Sequence, residues 1–101
     1  MNWDDAVEVL RGWAGRGVVI VPILDPGISL TPFSGALALE EPKAGVVRMR
    51  VQPHEEPYIS LFRATFIEAG WVTGREDRGL SVVQGGTRVD VFVDGDGGGP
   101  A

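Results

Sequence analysis

The apolar positions of the first fourteen residues recur at steps of three and four. Trp3, Ala6, Val7, Leu10, Trp13 and Ala14 form one stripe, while Asp4, Asp5, Glu8 and Arg11 occupy the other faces. The spacing predicts a helix over about residues 3–14. Asn2 suits its N-cap, and Asp4 and Asp5 suit the positive end of its dipole. Arg11 and Arg16 suit the other end, and Gly15 and Gly17 stop it. Both tryptophans are expected to cover the core.

Beyond Gly17 the period changes to two. Val18 to Leu24 is β-branched and apolar and reads as a strand, with Pro22 expected at an edge or bulge because it has no N–H to give. Asp25-Pro26-Gly27 is a turn signal. A second strand is expected from about Ser29 to Glu40, with Phe33, Gly35, Leu37 and Leu39 on one face. Gly35 inside it predicts a sharp bend or a close backbone approach. Pro42-Lys43-Ala44-Gly45 turns the chain, and Val47, Met49 and Val51 then alternate with Arg48, Arg50 and Gln52, the pattern of a half-buried strand.

Pro53 to Pro57 reads as a polar loop. Tyr58 to Val72 admits two readings. As a helix it places Ile59, Phe62, Phe66 and Ala69 on one face; as a strand it is long, with a bulge near Ala69-Gly70. Its aromatic and β-branched content favours the strand. The last element is a hairpin. Gly85-Gly86 makes a two-residue loop, which sets Gln84 opposite Thr87, Val83 opposite Arg88, Val82 opposite Val89, Ser81 opposite Asp90 and Leu80 opposite Val91. Leu80, Val82, Val89, Val91 and Val93 then share one face, and Ser81, Val83, Arg88, Asp90 and Phe92 share the other.

The chain has 101 residues, 44% of them hydrophobic and 23% charged, which suits one globular domain. We expect that domain over residues 1–93 and a flexible Gly/Asp-rich tail over 94–101. There is no cysteine and one histidine, His54. That excludes disulfides, thiolate metal sites, cysteine nucleophiles and a two-histidine metal site within the chain. His54-Glu55-Glu56 reads as a solvated loop, Glu40-Glu41 as a strand end, and Ser34 lacks the Gly-x-Ser-x-Gly elbow of a nucleophile. Gly95 to Gly99 matches no phosphate-binding loop, and Asp94 and Asp96 lack the rest of a calcium loop. No catalytic residue, metal or cofactor is expected, and the protein is not expected to be an enzyme.

The net charge is −5, with 9 basic against 14 acidic residues. Lys43, Arg48 and Arg50 form the one basic cluster and are the candidates for a nucleic-acid or anion contact. The longest apolar run, Val18 to Leu24, is too short to span a bilayer, and the first residues are acidic. The expected location is the cytoplasm.

One helix and about five short, bent strands outline a small barrel. Val9 to Val21 resembles the opening of Sm-like proteins, where a helix ends in a Gly-Lys/Arg pair and feeds a strand of valines. Phe33-Ser34-Gly35-Ala36-Leu37 resembles that family's bent second strand, Ile59 to Ala64 is similar to its third, and Arg78-Gly79-Leu80 stands where its second motif begins. The resemblance implies a mainly β fold, a strongly bent five-stranded Sm- or SH3-like barrel with an N-terminal α-helix; the alternative is an α+β fold with a second helix at about 58–69. The family's Asp-x-His/Phe-Met-Asn loop has no counterpart here. The expected function is a non-enzymatic interaction and assembly module. It is expected to form a homo-oligomer through strand edges, with Val83, Phe92 and the last hairpin at the interface, the final strand being an edge. Another protein is a further expected partner, and the alternative is an Sm-like RNA-binding protein using the arginine patch.

Overall fold

Asn2 closes the N-terminus of helix α1 (Trp3–Trp13), its Oδ1 accepting from the Asp5 N–H at 2.8 Å. The computed structural model describes residues 1–24 and 27–93. The turn expected at Asp25-Pro26 and the tail expected at 94–101 lie outside the described residues. Trp3, Ala6, Val7, Leu10 and Trp13 are buried, as the stripe predicts. Ala14 is exposed: it is the C-cap, its extended backbone has left the helix, and its side chain no longer follows the stripe.

The strands are β1 (Gly17–Leu24), β2 (Ile28–Ser29), β3 (Phe33–Lys43), β4 (Val46–Gln52), β5 (Tyr58–Phe62), β6 (Phe66–Trp71), β7 (Gly79–Gln84) and β8 (Thr87–Val93). All pairs are antiparallel, in the order β5-β4-β3-β1-β8-β7-β6, with β2 paired to β1. The molecule is mainly β with one N-terminal helix, and its sheet is not closed. Among the described residues there are eight strands where about five were expected: the six stretches read as strands along the chain gain two by local breaks. The stretch expected as one strand from Ser29 breaks at 30–32, leaving β2 short and separate, and β3 continues through Pro42 so that only Ala44-Gly45 turns. Residues 58–71 form two strands, not a second helix, divided by one 3₁₀ turn at Arg63–Thr65. The register irregularity there falls between Phe66 and Glu68, not at Ala69-Gly70.

Strand β1 runs through the middle of the sheet. It pairs β8 from Val18 to Leu24 on one side; on the other it pairs β3 as far as Ile20 and β2 from Ile23. Pro22 sits between those two partners. Its carbonyl accepts from Leu30 N–H at 2.9 Å, and since the N and O of a strand residue face the same edge, its missing N–H falls in the gap. Pro22 is therefore neither at an edge nor at a bulge, as was expected, but in a central strand at a gap in its pairing.

Gly35 marks a close backbone approach to β3. Its φ is +154°, and a Cβ built on it would stand 2.9 Å from the Gln52 carbonyl oxygen and 3.1 Å from the Val51 Cβ. Strand β4 approaches to a distance that only glycine permits.

The core lies between the helix and the inner face of the curled sheet. Leu10, Ile20, Leu37, Met49, Leu61, Leu80 and Val91 are its most deeply buried large side chains. Trp3 meets Phe66 edge-on, with ring centroids 5.9 Å apart, and Trp13 lies 6.3 Å from Trp71. At the helix surface Arg11 holds Glu41 of β3 through Nε at 2.9 Å and Nη2 at 2.7 Å, and Glu8 through Nη1 at 2.8 Å. Hydrogen bonding to Glu41, then to Glu8, raises the Arg11 pKa. The same hydrogen bond holds the Glu41 carboxyl below its ordinary value, outweighing the opposing effect of burial.

The predicted hairpin register is the observed one at all five pairs. The expectation that β8 is an edge is overturned. Strand β1 lies along its other side, so the backbone of β8 is paired on both sides, and the strands at the ends of the ladder are β5 and β6. The hairpin pattern showed which face is apolar, but not that a distant strand would take the free side.

Candidate functional site

Strand alternation puts Ala38 and Glu40 of β3, Arg48 and Arg50 of β4, and Tyr58, Ser60 and Phe62 of β5 on the face away from the core. The registers set Glu40 beside Arg48 and Ser60, and Ala38 beside Arg50 and Tyr58. Glu40 lies between two guanidiniums, with Oε1 3.4 Å from Arg48 Nη1 and Oε2 3.6 Å from Arg50 Nη2. One carboxylate thus serves two cations, and the cluster keeps a surplus positive charge. These are long contacts on half-exposed groups, the kind that water and salt weaken.

The Arg48 guanidinium also lies over the Tyr58 ring, 5.0 Å from its centroid. Its Nε is buried without a hydrogen-bond partner. Arg50 Nη1 donates to the His54 carbonyl at 3.3 Å, so the 53–57 loop is tied to the arginines by its backbone. Tyr58 and Phe62 remain 50% and 42% exposed. The face therefore joins two arginines to two open aromatic rings, chemistry that suits an anionic ligand with a flat or apolar portion.

Of the basic residues expected to act together, Arg48 and Arg50 converge on Glu40 and Lys43 does not. Lys43 stands opposite Val46 at the end of β3, by a groove lined by Ala44, Gly45, Phe62 and Arg63. Val83 and Phe92 do share the outer face of the hairpin. They are not neighbours, however, because Val83 opposes Arg88 and Phe92 opposes Gly79. Two strand repeats, about 13 Å, separate the two rows. Asp90, between them, is a buried carboxylate held by Arg88 at 3.3 Å. Among the described residues, no group of three His, Cys, Asp or Glu side chains could hold a metal ion. No helix among them is long and apolar enough to cross a membrane.

The sequence reading missed two components. Tyr58 and Phe62 fall on the arginine face once 58–62 is a strand; alternation with Ile59 and Leu61 was the available signal, and it competed with a helical reading of the same residues. Gln84 gave no signal at all. It is buried at the end of β7, and its side chain crosses the open seam of the sheet to β5. Its Nε2 donates to the Ser60 carbonyl and its Oε1 accepts from the Phe62 N–H, both at 3.0 Å.

No family model matches the chain, and neither a curated protein nor a solved structure matches it.

Proposed function

We propose that the protein is a non-enzymatic interaction module on a small bent barrel of the Sm-like or SH3-like kind, and that it takes a negatively charged protein segment on the outer face of β3, β4 and β5. The observation that carries this reading is Glu40 shared between Arg48 and Arg50 beside the exposed rings of Tyr58 and Phe62. An incoming carboxylate replaces the long contacts to Glu40 with bidentate ones, and the rings supply apolar contact. A cytoplasmic location belongs to the same proposal.

A second reading, single-stranded RNA, draws on the stacking of Arg48 over Tyr58. A base would stack on the open ring and a phosphate would lie on the guanidinium. Calorimetric titration with an acidic peptide and with oligouridylate at two salt concentrations separates the readings. Peptide binding that weakens roughly tenfold or more in Arg48→Ala supports the first. Oligouridylate binding that falls steeply with salt and is lost in the same variant gives the second. Binding of neither ligand rejects both.

A further inference from the structure

We propose that β5 is a docking edge for a second copy of this chain, and that the Gln84 side chain occupies that edge in the single chain. The inference stands on the main chain of β5 and does not rest on the binding reading, although the Tyr58 and Phe62 rings belong to both surfaces.

A carboxamide carries the same donor and acceptor as a peptide group. Gln84 uses both on one stretch of edge, the Ser60 carbonyl and the Phe62 N–H, with its own side chain buried at 8% exposure. In an antiparallel ladder these two groups are the ones an adjacent strand would take. Gln84 thus stands where a neighbouring strand is missing. The other end of the ladder is covered differently: α1 packs on β6, and the Met1 nitrogen donates to the Ala69 carbonyl at 2.7 Å.

The segment that Gln84 occupies is complementary to itself. Tyr58-Ile59-Ser60-Leu61-Phe62 reads aromatic, aliphatic, serine, aliphatic, aromatic in either direction. A copy laid antiparallel about Ser60 sets Ser60 against Ser60 of the partner subunit, with both N–H and both C=O groups bonded. Tyr58 then faces Phe62 of the partner subunit, twice over, as a two-fold interface requires. Both rings are on the exposed outer face, where aromatic cross-strand pairs are favourable. The segment contains no proline or lysine to blunt the edge. The second copy and Gln84 need the same Ser60 oxygen and Phe62 nitrogen, so they exclude each other.

Sedimentation equilibrium on the wild type, Gln84→Ala and the double variant Gln84→Ala/Ser60→Pro tests this. We expect Gln84→Ala to dimerise at least roughly tenfold more tightly than the wild type, because the competing hydrogen bonds are gone. The added Ser60→Pro should reverse the gain, since proline has no N–H to give across the axis. Acidic-peptide titration of the monomeric wild type reads the arginine face separately, which distinguishes failure here from failure of the binding face. A folded Gln84→Ala that stays monomeric at millimolar concentration overturns the proposal, as does a dimer indifferent to Ser60→Pro. Should Gln84→Ala not fold, hydrogen exchange of the wild-type Ser60 amide decides: slowing as concentration rises supports the docking edge, and constant exchange rejects it.

Discussion

The ring of Phe92 lies against the bare backbone of Gly79. The two residues are direct partners across β7 and β8, and a Cβ on Gly79 would stand 2.9 Å from two ring carbons and 3.0 Å from the Arg75 Cβ. The Arg75 guanidinium is 5.8 Å from the ring centroid. Gly79→Ala should therefore destabilise the fold by ~1–3 kcal/mol through overpacking. Urea titration measures it, and a change within error would mean that the ring swings clear at no cost.

The same contact sets the expected behaviour of Phe92. Its ring is held within the single chain, so Phe92→Glu should lower the melting temperature and leave the mass in solution unchanged. Thermal unfolding and light scattering on one sample check both parts. A stable variant of reduced mass would instead make Phe92 part of an interface.

Gly35 is constrained by both conformation and space. Gly35→Ala adds a Cβ at positive φ and drives it into the Gln52 carbonyl, which is backbone and cannot turn aside. The expected loss is roughly 2–4 kcal/mol, combining strain and overpacking. Chemical denaturation reads it directly, and an unaltered midpoint would contradict the close approach of β4.

Leu10 is fully buried at the centre of the helix face. Leu10→Ala should cost ~2–5 kcal/mol, the usual range for a cavity left in a packed core. A near-neutral denaturation midpoint would show that α1 does not seal the core.

Glu41 predicts a pH dependence. Its folded pKa lies below its unfolded value because Arg11 bonds the charged form. Its contribution is therefore complete above the ordinary carboxylate range and is lost as pH falls through the lowered folded value. Glu41→Gln should melt slightly below the wild type at neutral pH, and the difference should vanish in acid. Both partners are exposed, so the effect is small. A gap that persists unchanged in acid would show that the charge is not its source.

Particular elements show how much was legible. Helix α1, its Asn2 cap and its buried stripe were readable because each depends on residues three or four positions apart. The alternation of β4 and the close approach at Gly35 were readable for similar reasons. Arg48 and Arg50 were readable as a pair, but their sharing of Glu40 was not, because Glu40 lies on another strand. Tyr58 and Phe62 were hidden by a segment whose apolar residues fit two periods. The 3₁₀ turn at Arg63–Thr65 divides it into two strands that each pair elsewhere.

By itself the sequence determined what short-range geometry controls: where α1 starts and stops, and the register of β7 against β8. A two-residue turn leaves the hairpin one pairing that gathers Leu80, Val82, Val89, Val91 and Val93 on one face. Only the tertiary structure decided which strand lies on the hairpin's other side and what fills the seam. Those outcomes join residues 18–24 to 87–93, and Gln84 to Ser60. They rest on backbone groups that are the same in every strand and on one side-chain amide whose partners are distant in the chain, so no local pattern distinguishes the partner until the whole sheet has curled around its core.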